Sequence, residues 1–137
     1  MGFDIDERVE KARSLHETGY NCSQSVVLAY ADLVDDLPDG VAERMAASFG
    51  RGIAGMNEVC GCVSGMAMIM GLMGNPRQTK RLAQQFKDEQ GSVVCRSLLG
   101  IDGSGIRHKP CVEYVACAAR LLGEELKVVF QNDMQHG

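Results

Sequence analysis

Apolar residues recur every three or four positions along most of the chain, the period of a helix with one buried face. Ile5, Val9, Ala12 and Leu15 mark the first such helix. Val26, Val27, Tyr30, Leu33, Val34 and Leu37 mark a second, stopped by Pro38, Asp39 and Gly40. A short third carries Val41, Met45 and Phe49. The fourth, from about Glu58 to Met73, is apolar on every face, and Gly61 and Gly65 leave room for another backbone to come close. A fifth opens with Asn75 as cap and Pro76 at the first helical position, and ends before Gly91. Ser92 to Leu99 reads as a short turn closed by Gly100, and Ile101 to Lys109 as an exposed loop. The sixth helix starts at Pro110 and carries Val112, Val115, Ala116, Ala119 and Leu122; Gly123 ends or kinks it before a last helix, Glu124 to about Asp133. No stretch alternates as a strand does. The pattern predicts one all-α domain over residues 1–137, a bundle of about six to seven helices around a central apolar fourth helix, with flexible ends at about 1–4 and 134–137.

Size and charge narrow the function classes. A chain of 137 residues is one domain, and at this length a hydrophobic core carries stability unaided. Net charge is −4, with no basic footprint for duplex nucleic acid. The uncharged run from Val59 to Gly74 is 16 residues, short of the roughly 20 that span a bilayer. No basic segment precedes an apolar run at the start, so no signal peptide is read.

Six cysteines, Cys22, Cys60, Cys62, Cys95, Cys111 and Cys117, stand out. They are too sparse for a secreted disulfide scaffold, which makes a reducing, cytoplasmic setting the expectation and directs attention to reactivity or metal ligation. Asn21, with Gln24 three residues on, caps the second helix and puts Cys22 in its first turn. Asn57 as cap would put Cys60 at the third position of the fourth helix, and Ser92 would do the same for Cys95. Cys111 follows the opening Pro110. First turns carry unsatisfied N–H groups and about half a positive charge, which favour thiolate over thiol. Arg51, Arg96, and Arg107, His108 and Lys109 add cations near Cys60, Cys95 and Cys111. Cys117 lies mid-helix, where packing is expected; Cys62 is ambiguous, because residues two apart on a helix point to different faces, so it would not chelate one metal with Cys60.

Other patterns carry less. Gly50-Arg51-Gly52-Ile53-Ala54-Gly55 fits G-x-G-x-x-G, but a helix precedes it and no acid follows between Glu58 and Asp88 to hold a ribose. Gly52 and Gly55 are instead expected to let a ligand or another backbone approach the start of the fourth helix, which makes them the candidate cofactor-binding residues. No C-x-x-C occurs, so a zinc ribbon is unsupported. Met66, Met68, Met70 and Met73 follow a core helix, His108 a solvated loop, and His16 the rim of the first helix. Asp32, Asp35, Asp36 and Asp39 read as a solvated helix end, and nothing selects a Cys-His-acid hydrolase.

Taken in order, several stretches form a set: Asn21-Cys22-Ser23-Gln24, Gly52 to Gly61 with Gly65, Gly91 to Arg96 with Leu98-Leu99-Gly100, and Cys111. The chain resembles here, over about residues 8 to 122, the C_GCAxxG_C_C family of redox-active proteins. The resemblance places the family's four cysteines on Cys22, Cys60, Cys95 and Cys111. Where that family usually has Ala after Cys-Gly, this chain has Cys62. The resemblance implies a small accessory or electron-handling role beside oxidoreductases and transporters, with a bound prosthetic group as one form of it.

Three readings stand open at this level. One is a thiol–disulfide oxidoreductase, in which Cys60 attacks and Cys22, Cys95 or Cys111 resolves, working with a redox protein or a small-molecule electron partner. The second is a binding module in which Cys22, Cys60, Cys95 and Cys111 hold an iron–sulfur cluster or another thiolate-bound metal. The third is a helical interaction domain with core cysteines, dimerising through an apolar helix face.

Overall fold

The computed structural model describes residues 2–101 and 109–136, without the side chains of 133–136. Arg107 and His108, singled out as cations before Cys111, lie outside the described residues. Seven α-helices follow in order: α1 (Ile5–Glu17), α2 (Cys22–Tyr30), α3 (Val41–Ala46), α4 (Gly61–Leu72), α5 (Thr79–Gln90), α6 (Cys95–Leu98) and α7 (Cys111–His136). Among the described residues there is no strand, and the all-α bundle predicted from periodicity is the fold. No helix among them is long and apolar enough to cross a membrane.

Local chemistry fixes the ends. Asp4 accepts from the Glu7 N–H at 3.1 Å and caps α1. Asn21 and Gln24 form a reciprocal capping box on α2, with the Gln24 N–H 2.8 Å from Asn21 Oδ1. Gly91 ends α5 at φ +96, its N–H returning to the Lys87 carbonyl. The fifth helix starts later than expected: residues 76–78 form a 3₁₀ turn, and the Asn75 amide donates to the Met73 carbonyl instead of capping.

α7 packs on α1, α2, α4 and α5, while α4 packs against α2, α5 and α7. Their meeting faces bury Val26, Val27, Met66, Ile69, Met70, Leu82, Phe86, Val115, Leu122 and Leu126. Each such side chain contributes roughly 1.5–3 kcal/mol of transfer free energy. Met66 and Met70 are core filling. Phe3, inside the end expected to be flexible, packs edge-on against Tyr30 and Phe130.

Gly123 neither ends nor starts a helix. α7 runs through it unbroken, and a Cβ at this position would collide with the Tyr30 hydroxyl. That hydroxyl donates to the Ala119 carbonyl at 2.7 Å. The glycine makes room for a buried tyrosine rather than a turn.

Candidate functional site

The segment before α4 has an unusual backbone. Arg51, Gly52, Ile53, Ala54 and Gly55 all have positive φ, between +50 and +78, forming a left-handed turn of five consecutive residues. The Ala54 N–H reaches back to the Ser48 carbonyl at 2.7 Å and the Asn57 N–H to the Arg51 carbonyl at 2.9 Å. For non-glycine residues this conformation costs roughly 1–2 kcal/mol each, and such strain concentrates at functional sites. Ile53, β-branched at φ +66, is the most unfavourable member. Gly52 is packed, not open: a Cβ would lie 2.8 Å from Cys95 Cβ. Gly55 has nothing within 4 Å of a Cβ. Of the two glycines named as candidate ligand contacts, Gly52 therefore serves the approach of another part of the chain.

Glu58, Val59 and Cys60, which capping by Asn57 would have placed in α4, lie before the helix instead. The helix begins at Gly61, and Cys60 is its N-cap residue, with extended backbone (φ −54, ψ 131). Val59 pairs with Val94 in an isolated antiparallel bridge. Across it the Cys60 N–H donates to the Val93 carbonyl at 2.7 Å, and the Cys95 N–H to the Glu58 carbonyl at 2.6 Å. Ser92 does not cap α6; its hydroxyl accepts from the Val94 N–H, and Cys95 is the first helical residue. The bridge thus delivers Cys60 and Cys95 side by side.

Five sulfurs meet there. Cys22, Cys60, Cys62, Cys95 and Cys111 line one small cavity with Arg51, Leu98, Leu99 and Tyr114. Its volume is about 20 Å³, room for about one water molecule. Cys22, Cys60 and Cys95 are 5–8% exposed, Cys62 is 0% exposed, and Cys111 is half-buried. Cys117 stays outside, buried in the middle of α7. The Cys22 sulfur sits against the first turn of α4, where a Cβ on Gly61 would lie 2.5 Å from it. Because Cys60 precedes the helix, it does not obey helical spacing relative to Cys62. Cys62 lines the same cavity as Cys22 and Cys60, and both of these neighbours act on its acidity.

These contacts separate the thiols. Cys22 is lowered from 9.0 to about 6, mainly because the Cys62 thiol donates to its sulfur. Burial opposes this, while the backbone N–H groups of Arg51 and Ser23 add to it. Cys62 is pushed well up by the same hydrogen bonds, with burial adding to them. Burial, with the charge of neighbouring sulfurs, pushes Cys95 up to about 11 and also raises Cys111. Burial raises Cys117 as well.

Of the cysteines at helix starts, Cys22 is thus lowered while Cys95 and Cys111 are raised. α6 is a single turn of four residues, too short to sum many peptide dipoles. Arg96 turns to Glu58 at 2.7 Å and Lys109 to Gln90 at 3.0 Å, so neither cation is spent on sulfur. What the sequence reading left open was Cys62, and the signal for it was Cys60-Gly61-Cys62 read with Gly61 as helix start.

Among the described residues, no three His, Cys, Asp or Glu side chains are disposed to hold one metal ion. The donor set as placed does not fit such an ion.

Fold and site together define an all-α cysteine protein with a shared, buried sulfur pocket. A family model described as "Putative redox-active protein (C_GCAxxG_C_C)" matches residues 20–125, and the chain belongs to that family. The chain matches no curated protein and no solved structure.

Proposed function

We propose that the sulfur cavity carries out thiol–disulfide redox chemistry, with Cys22 as the attacking thiolate in place of Cys60. One observation carries this reading: five of six cysteines line a single cavity, and Cys22 among them is held near pKa 6 by donors from Cys62, Arg51 and Ser23. A thiolate present at neutral pH beside protonated thiols is the arrangement that exchange chemistry needs. The attacking sulfur is ionised, and its neighbours keep the protons that resolution and release consume. Cys111 is the least buried cysteine of the set.

The test is a pH series of alkylation on reduced, oxygen-free protein, with each cysteine followed by peptide mass spectrometry. Cys22 should label with a midpoint near pH 6, ahead of Cys95. A thiol count should then fall by two on mild oxidation and recover fully on reduction. A Cys22 midpoint no lower than that of an ordinary thiol would overturn the reading. So would one equivalent or more of iron or zinc per chain, which would assign Cys22, Cys60, Cys95 and Cys111 to metal binding.

A further inference from the structure

The geometry points to the oxidant and to the resolving thiol, an inference resting on the redox reading above: we propose that the site reacts with an oxidant of the size of hydrogen peroxide, admitted beside Arg51, and that Cys62 closes the first disulfide with Cys22. Two features of the pocket carry it. The first is size. Cys22 is 8% exposed at the wall of a small cavity, which a compact oxidant enters more readily than a peptide or glutathione disulfide. Among the lining residues Arg51 is the exposed one, and Leu99 and Cys111 are half-buried.

The second is proximity. Cys62 is wholly buried, lines the same cavity as Cys22, and follows directly on Gly61, against which the Cys22 sulfur packs. Cys62 also stands where the resemblance expects Ala, so this pairing belongs to this chain and not to the four-cysteine pattern.

The chemistry balances. The Cys22 thiolate attacks one peroxide oxygen; the O–O bond breaks, Cys22 becomes a sulfenic acid, and hydroxide leaves and takes a proton from solvent. The Cys62 thiol attacks the Cys22 sulfur; the S–O bond breaks, and the hydroxyl departs with the Cys62 proton as water. Two thiols lose two electrons to become a disulfide, and the peroxide becomes two waters.

The test compares hydrogen peroxide with oxidised glutathione on the reduced, full-length protein at pH 7, following Cys22 by mass spectrometry in the folded and the urea-unfolded chain. The folded-to-unfolded rate ratio at Cys22 should be at or above unity for peroxide and below about one tenth for the glutathione disulfide. Peroxide should yield a Cys22–Cys62 disulfide, and in Cys62→Ala a sulfenic acid at Cys22 that dimedone traps. Equal ratios for the two oxidants would overturn the size argument while leaving the redox reading intact. A first disulfide from Cys22 to Cys60, Cys95 or Cys111 would overturn the role of Cys62. No reversible oxidation of Cys22 by either reagent would remove both proposals together.

Discussion

Gly61 and the sulfur of Cys22 are in such close contact that a methyl group on Gly61 would lie 2.5 Å from Cys22 Sγ. The same methyl would lie 2.7 Å from the Phe49 carbonyl, so it has no free direction. The glycine is what lets the second and fourth helices bring their first turns together. Gly61→Ala should cost about 1–3 kcal/mol through overpacking. It should also push Cys22 away from Cys62 and raise the Cys22 alkylation midpoint by about one unit or more. Denaturant melts and the alkylation series read the two effects separately.

The acidity of Cys22 predicts a stability profile. Its folded pKa of about 6 lies below the 9.0 of an ordinary thiol, so between those values the unfolded chain binds more protons than the folded one. Stability of the reduced protein should therefore rise with pH across that window, by at most about 1.4 kcal/mol per unit, and this contribution is lost as pH falls through 6. Above 9 the sign reverses, because Cys95, at about 11, and Cys62 stay protonated when the unfolded chain's thiols ionise. Melts at pH 6, 7 and 8 under reducing conditions should show the rise, and Cys22→Ser should flatten it.

Cys62→Ala removes the donor that does most to lower Cys22 and should raise its alkylation midpoint. Cys62→Ser keeps a hydroxyl donor at the same place and should restore much of the shift. If alanine and serine act alike, the hydrogen bond is not the cause.

The helices and the four cysteines at helix starts were legible because their signals are local: a 3.6-residue stripe, and Asn21 with Gln24 three positions later. The start of α4 was not, because it depends on the left-handed turn at residues 51–55. No propensity rule predicts that conformation at Ile53. Asn57, at φ +59, was the one local hint, since asparagine tolerates it. With Cys60 moved out of the helix, Cys62 joined the pocket, a consequence that only tertiary structure could deliver. Gly123 misled for the opposite reason: its role is to clear space for Tyr30, 93 positions away in sequence but adjacent in the core.

Ala54 offers a direct measure of the strain in the left-handed turn. It is exposed, with φ +51, and contributes no buried side chain. Ala54→Gly should stabilise the protein by about 1 kcal/mol, because relief of the Cβ clash exceeds the entropy that glycine adds to the unfolded chain. Equilibrium denaturation checks this. A loss of stability would mean the turn is not strained at this residue.

Tyr30 and Gly123 make a pair whose coupling can be isolated. In an ordinary helix interior Gly→Ala gains about 1 kcal/mol. Here Gly123→Ala should destabilise, because its Cβ meets a hydroxyl that is buried and bonded to the Ala119 carbonyl. Tyr30→Phe removes that hydroxyl and costs about 1 kcal/mol, the usual net loss for one hydrogen bond. The space it vacates is the space the new methyl needs. The double variant should therefore be more stable than the sum of the single changes implies, with a coupling of about 1–3 kcal/mol. Thermal or denaturant melts of the four proteins close the cycle, and strict additivity would show that Gly123 answers to something other than Tyr30.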